Sequence, residues 1–467
     1  MKTIIYREIR DHIQSLQFVV LLLFAVVLFA ANGIVFARKF QAENAAYSAM
    51  AARFAPDTRF VYLTQQPNPL LFLAEGGDLD RPKSYDMMAK GYFGAFAPQP
   101  RDYKLPDIPK LDWSFIIKTV FSLYVVLLGY AAVSGEKEQG TLRLVLSNPV
   151  GRARFLAAKY AAILAAALIP LAVGCVVSLG ILGVSLPQIL TWGLASRVLA
   201  LLALSSAYLS LFAFLSLLVS SVMRRSSLAL LALLAAWVFF AVLIPDTSGI
   251  LAEKLAKVQS DYDAAKSVGP MIQKEVWSKI GALQPRIDKG ELKTEEAIKA
   301  EADKAFEEGQ EKVRFFEKSY EDSIAARAGL ARSLARISPV AMFQYAAEDL
   351  AGSGVGREAA FRDDLRAYAR QFDAYVLKKN GKLVGQSNWS FSASVKLNGK
   401  DVPVQSPRAE QYRGDMSDFP RFVERAPRLA EGVKGAAGDI AGLLLWNIVL
   451  AVAAFGAFLK ADVRERI

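Results

Sequence analysis

Six apolar runs divide the chain: Phe18 to Phe36, Trp113 to Val133, Phe155 to Val184, Arg197 to Met223, Ser227 to Ile244 and Ile440 to Phe458. Each comes close to or exceeds the roughly 20 residues that a helix needs to cross the hydrocarbon of a bilayer. The fifth run stops, on this pattern, at Pro245. Ahead of the first, Met1 to Ser15 places Ile4, Ile5, Ile9 and Ile13 on one side and Arg7, Glu8, Arg10 and Asp11 elsewhere. That reads either as an interfacial helix or as a helical extension of the first span. The predicted units are 1–36, 37–112, 113–245, 246–438 and 439–467.

The polar stretches divide by period. Residues 37–112 mix eight prolines with aromatic residues, with one strand-like piece at Phe60-Val61-Tyr62-Leu63. Leu70 to Leu73 is apolar but too short to cross. This segment reads either as substrate-contacting or as a cap folded onto a larger domain. Residues 246–438 turn charged and helical. Helices are predicted at 250–266 and 271–283, split at Gly269-Pro270 and ended at Gln284-Pro285. A long helix starts behind Thr294 as N-cap and continues to about Arg336. It projects as an arm or packs back as a hairpin, and Gly309 is a candidate bend. Ser338-Pro339 opens another helix, ending near Gly352. A further one, 357–378, puts Phe361, Leu365, Tyr368, Phe372 and Tyr375 on one face. Asn380-Gly381 and Asn398-Gly399 are hairpin-type turns on either side of an alternating run, Trp389 to Val395.

Composition agrees with this pattern. Of 467 residues, 53% are hydrophobic and the mean hydropathy is +0.26, which places the chain among membrane proteins. The fold class expected is an α-helical polytopic membrane protein of six transmembrane helices, with a mainly helical extracytoplasmic domain and a small β element. A net charge of +11 would suggest nucleic acid in a soluble protein. Here the positive-inside bias and anionic head groups account for it, and both termini are expected inside. One cysteine, Cys175, rules out an intrachain disulfide, and one histidine, His12, rules out metal centres built on His and Cys clusters. No nucleophile–base set for catalysis accompanies them. Gly352 to Arg357 is glycine-rich but follows a helix and lacks Gly-Lys-Ser/Thr, so it reads as a connector. Asn388-Trp389-Ser390 is a weak glycosylation sequon.

Candidate chemistry concentrates between the second and third runs. Ser134 to Arg154 carries Glu136 and Glu138, then Gly140, Thr141 and Leu142, then Asn148-Pro149-Val150 and the bases Arg152, Arg154 and Lys159. A short charged helical hairpin held between two spans can move them when gripped. In the fourth run, Ser206/Ser210 and Ser216/Ser220 are four apart and either line a polar path or pack helices closely. Lys118 in the second run either meets an anionic substrate or snorkels to the interface.

The Glu-x-Glu-x-Gly-Thr-Leu pattern with Asn-Pro-Val and the following bases resembles the coupling region of type-2 ABC exporter permeases. The six-span plan, the large insertion before the last span, Ser338-Pro339 within it and the ending Ala461-Asp462-Val463-Arg464 resemble one bacterial branch of that family. The resemblance implies an ATP-binding partner subunit docking on residues 134–154, with ATP and Mg held by that partner. It also implies a second permease copy or paralogue and residence in the bacterial cytoplasmic membrane. This chain has no Gly-x-x-x-x-Gly-Lys-Ser/Thr loop and no LSGGQ-type signature. The large outer domain also allows a force-transmitting role on an envelope partner. A membrane scaffold without an ATPase is the third reading.

Overall fold

The computed structural model describes residues 2–52, 56–76, 84–94, 111–147, 151–384, 392–407, 411–426 and 428–460. Six of its helices are long and apolar enough to cross a membrane: Leu16–Ala52, Trp113–Glu138, Arg152–Ser185, Trp192–Val222, Ser226–Leu255 and Leu429–Lys460. Helix Lys2–Ile13, the Lys460 end of the last span and the segment between the second and third spans lie on one side of this bundle, here the terminal side. The two long polar excursions lie on the other, the domain side.

Several boundaries differ from the sequence reading: the helix expected over 250–266 breaks between Leu255 and Asp261, Gln284-Pro285 lies inside helix Leu283–Asp288, and three further differences have a clear physical reason. The first span does not end at Phe36 but continues as helix to Ala52. At 1.5 Å per residue its 37 residues measure about 56 Å, well beyond a bilayer core. Its upper half keeps Ala37 and Phe40 buried in the bundle core. Pro245 does not stop the fifth span. A wide π-type turn, Phe239–Leu243, precedes it and absorbs the backbone pairing that a helical proline forfeits, so the helix runs on to Leu255. Gly269-Pro270 likewise splits nothing, because residues 261–281 form one helix with a wide turn, Gln273–Trp277, just after the proline.

The bundle core is aromatic. Trp113, at the head of the second span, is fully buried among Phe29 and Phe72 at ring-centroid distances of 5.4 and 5.3 Å. Its indole Nε1 donates to Ser178 Oγ at 3.2 Å, and Ser178 donates on to Asn32 at 3.3 Å. Asn32 then donates to the Leu111 carbonyl at 2.6 Å. The first three spans are thus joined by one polar thread, and no member is left unpaired in an apolar setting. The Leu70–Leu73 run is a buried turn seated on this core, its Phe72 carbonyl accepting from the Trp113 amide.

Helix Pro339–Ala351 dips into the domain-side half of the bundle. Ser338 caps it as the sequence indicates, accepting from the Val340 and Ala341 amides. The same hydroxyl donates to the Phe240 carbonyl of the fifth span at 2.5 Å. Phe343 stacks on Tyr208 of the fourth span at 4.4 Å. The last span accommodates the dipping helix through small residues. A Cβ on Gly432 would lie 2.5 Å from the Asp349 carbonyl oxygen, and one on Gly442 would meet Met342 Sδ at 2.7 Å. At its far end Gly352 takes the left-handed conformation, φ 64°. Carbonyls there are satisfied from outside the helix, Leu350 by Arg197 at 2.5 Å and Ala351 by Asn68 at 3.3 Å.

The domain-side layer has two small cores. Helix Glu295–Ala335 is capped by Thr294 and, at 41 residues, is about 60 Å long. It does not project alone. Its buried Ile298, Ala302 and Phe306 pack with Val276, Ile280 and the hairpin residues Val395, Val402 and Val404. That hairpin is β4 (Ser392–Leu397) and β5 (Lys400–Gln405), turning at Asn398-Gly399. Asn380-Gly381 is not a hairpin turn. Gly381, at φ 69°, ends helix Val355–Asn380 instead. Residues 385–391, with Trp389 and the sequon, lie outside the described residues. The second core joins the first excursion to the larger domain. β1 (Phe60–Thr64), β2 (Ser84–Met88) and β3 (Gly91–Gly94) make an antiparallel sheet whose Val61, Leu63 and Met87 pack on Phe361, Leu365 and Phe372. The excursion after the first span is therefore a cap on the larger domain.

One side chain of the long helix makes that layer pH-sensitive. Burial, with Glu321 adding to it and Arg314 opposing it, pushes the Glu317 carboxyl up to about 7. A carboxyl whose folded pKa is raised binds its proton more readily folded than unfolded. Its contribution to stability is therefore greatest below about pH 4.5 and is lost as pH rises towards 7. Thermal unfolding of the full protein in detergent should shift upward as pH falls from 8 to 6. Glu317→Gln should raise the midpoint at pH 8 and flatten that slope.

Candidate functional site: the segment between the second and third spans

The second span ends in the turn Ser134–Glu138, and Gly140 follows at φ 72°. That left-handed backbone reverses the chain at little cost only for a residue without Cβ. A short helix, Thr141–Ser147, then runs back towards the third span, with Leu142 buried and Leu144 70% exposed. Residues 148–150, the Asn-Pro-Val piece, lie outside the described residues. Gly140 and Thr141 thus form the tip, and the Thr141 hydroxyl donates to the Glu136 carbonyl at 3.4 Å.

Both acids look inward, towards this chain's own spans. Glu136 Oε1 lies 2.6 Å from Lys159 Nζ, and Lys159 lies 2.9 Å from Glu8 Oε1 on the short helix Lys2–Ile13. Lys159 is 9% exposed and stands 5.5 Å from the centre of the Phe155 ring. One cation is therefore shared by two carboxylates from opposite ends of the terminal side. The other oxygen of Glu136, Oε2, is buried without a partner. Nearby, burial holds the His12 imidazole below its ordinary pKa, while Glu8 pulls it up and Lys159 pushes it further down.

Glu138 ties the segment to the fifth span. Its Oε2 accepts from the Ser226 amide at 3.2 Å and from the Ser226 hydroxyl at 2.7 Å. Ser226 is the first residue of the fifth span, so the carboxylate sits on the positive end of that helix. The fourth span is tied in as well. Ser220 Oγ accepts from the Val133 and Ser134 amides at 2.9 Å each, and Lys137 donates to the Ser221 carbonyl. Arg152 donates to the Leu459 carbonyl at 2.8 Å, closing the C-terminal end of the last span. Arg154 is exposed. The arrangement is a keystone: a short reversing segment whose polar groups hold the ends of five helices.

The remaining candidates sit elsewhere. Ser220 belongs to the keystone. Ser216 is buried against the second span, where a Cβ on Gly129 would fall 2.4 Å from its own Cβ. Ser210 donates to Asn447 of the last span at 2.8 Å and pairs with Tyr160 at 2.7 Å. Ser206 bonds back to the Leu202 carbonyl. These four serines occupy helix contacts or bond their own helix. Lys118 is half-buried at the domain side, 6.0 Å from the Phe115 ring and within electrostatic reach of Asp112 and Glu348. A wide turn at Ile116–Phe121 frees the Lys118 carbonyl to accept from Tyr208. Among the described residues no group of three His, Cys, Asp or Glu side chains could hold a metal ion.

Six spans, a keystone between the second and third, and a large domain before the last are the features to be matched. The family model described as ABC-2 family transporter protein matches residues 2–463, almost the whole chain. The chain belongs to this family. Comparison with curated proteins gives no match. As a member of the ABC-2 family it is a multi-pass membrane protein of the ABC transporter class. Sequence reasoning missed two parts of this ABC-2 keystone. Glu8 falls on the polar side of the amphipathic helix, and Ser226 falls outside the fifth run as read from Ser227. A serine opening a span just after Arg224-Arg225 was the one signal available for the second.

Proposed function

We propose that the chain is the permease subunit of an ATP-driven exporter in a bacterial cytoplasmic membrane. ATP and Mg belong to a separate ATP-binding subunit that docks on residues 134–154, and a second permease copy or paralogue completes the pore. Both termini and the keystone face the cytoplasm, and the domain side faces outward. The observation that supports this most is the Glu136–Lys159–Glu8 pairing together with the Glu138–Ser226 cap. Any displacement of the tip at Gly140–Thr141 must move the ends of the spans it is bonded to. Leu144, exposed on the short helix, offers an apolar contact to the docking subunit. Such a push shifts the population between inward- and outward-biased arrangements, and the shift is limited by the difference in affinity for the two.

The test is co-purification of a tagged full-length protein with the ATPase subunits of its host under gentle extraction. Wild type should retain an ATPase, and Gly140→Pro with Leu144→Glu should lose it while the bundle still melts at the wild-type temperature. Wild type emerging without any ATPase overturns the reading and leaves the scaffold alternative. A second reading, transmission of force to an envelope partner, is favoured by the long helix Glu295–Ala335. It rises from the last span, held there by Arg332 and Arg336 on Asp439.

A further inference from the structure

A pocket of about 550 Å³ opens at the domain-side end of the bundle. Its walls come from four separate parts of the chain. Phe40 lines it from the upper first span, Asn68 from the cap, and Leu194 and Arg197 from the first turns of the fourth span. Arg357 and Arg425 close it from the larger domain. The volume falls in the range of small-ligand sites.

Its charge is unbalanced. Among the described lining residues are three guanidinium groups, Arg197, Arg357 and Arg425, and one carboxylate, Glu424. Both oxygens of that carboxylate are taken. Oε1 lies 2.6 Å from Arg357 Nη2, and Oε2 accepts from the Gln66 amide at 3.2 Å. Arg425 pairs with Asp364 behind the wall, at 2.5 Å. Arg197 is 5% exposed, donates to the Leu350 carbonyl, and is near enough to Arg357 to feel its charge. The Arg357 side chain is 10% exposed, and its Nε is buried with no hydrogen-bond partner. Two guanidinium groups brought together in a buried wall, one with an unmade hydrogen bond, are costly unless an anion completes them. The first turn of the fourth span adds the positive end of a helix dipole.

We infer that this pocket binds a phosphate-bearing anionic group, held between Arg197, Arg357 and Arg425. The group comes either from the head of a lipid or from a free phosphate ester. Placement favours the lipid. Arg197 lies about 7.5 Å along the helix from Trp192, within one interfacial layer of the domain-side leaflet. Leu190 and Trp192 alternate with the lining residues Ile189, Thr191 and Gly193, and Trp192 is 92% exposed. An exposed tryptophan at a span end is the usual anchor at head-group level. This site does not rest on the coupling reading.

The test uses the full-length protein in mild detergent, stripped of lipid, with thermal unfolding followed as lipid is titrated back. Phosphatidylglycerol should protect strongly and phosphatidylcholine weakly. Arg425→Gln is made together with Asp364→Asn, so that its buried partner carboxylate is not stranded. Arg357→Gln with Glu424→Gln removes a pair together and strands neither charge. Each should raise the half-saturating phosphatidylglycerol concentration about tenfold, the loss expected for one charge-assisted contact, and leave phosphatidylcholine unchanged. Protection by millimolar inorganic phosphate, lost in the same variants, supports the site and assigns a soluble source. Protection by phosphatidylglycerol without protection by phosphate supports it and assigns the lipid. Equal protection by the two lipids with none by phosphate, or variants that keep the wild-type preference, overturns the proposal.

Discussion

Lys159→Met should be the most damaging single change on the terminal side. The lysine is almost buried and is the cation for both Glu8 and Glu136. Removing it leaves two carboxylates facing each other at the base of the third span. Stranding charge in this way costs on the order of 3 kcal/mol, the low end of measured values because the two acids remain about one-fifth exposed. The apparent melting temperature in detergent should fall, and helix Lys2–Ile13 should detach and become open to trypsin at Arg7 and Arg10. If residues 134–154 couple to an ATPase, partner retention should fall too. The triple variant Glu8→Gln, Lys159→Met, Glu136→Gln separates the two effects. With no charge left unpaired it should recover most of the stability, yet it should not recover coupling. A triple variant that regains full ATPase coupling would reduce the ion pairs to a structural role.

Asp439→Ala should have an effect of similar size on the opposite side. Asp439 is fully buried in the last span and receives Arg336 at 2.7 Å and Arg332 at 3.4 Å. Arg332 also reaches Asp349 of the dipping helix at 2.7 Å and lies over the Tyr345 ring. Three elements meet on these four charges: the long helix, the dipping helix and the last span. Alanine removes the shared anion, leaving Arg336 without its carboxylate and Arg332 on Asp349 alone. The expected loss is about 3 kcal/mol, moderated because Arg336 is partly exposed. It should be local. Hydrogen exchange should rise over residues 325–351, with the aromatic core around Trp113 still protected. A double-mutant cycle with Arg332→Met should show coupling well above 0.5 kcal/mol, since the two side chains share one network. Additive losses would mean that the cluster is not the hinge between domain and membrane.

Much of this architecture could be read from the sequence because bilayer crossing imposes a long, uninterrupted signal. All six spans were legible as apolar runs, and Thr294 and Ser338 announced their helices by capping chemistry that is local. The misreadings came where a local breaker was overruled from a distance. Pro245 and Pro270 stay inside helices because an adjacent wide turn takes up the strain, and nothing in their neighbours announces that turn. Asn380-Gly381 carries hairpin chemistry but serves as a helix stop, since the residues leading into it are helix rather than strand. The candidate site divides in the same way. Glu136, Glu138 and Gly140 were singled out by the resemblance of their pattern to the family's coupling region. Their partners could not be, because Ser226 is 88 residues from Glu138 and only tertiary packing brings them together.

The dipping helix has a consequence for biogenesis. Tyr208 and Ser210 of the fourth span find their contacts on Phe343 and Asn447. Both partners are made by the ribosome more than a hundred residues later. Until then that face of the fourth span stays uncovered, its Tyr208 and Ser210 hydroxyls paired with Lys118 and Tyr160, while the whole excursion is synthesised. Packing of the fourth span is therefore completed only once Phe343 and Asn447 have been made, and synthesis stalled before that point should leave a chain open to quality-control proteolysis.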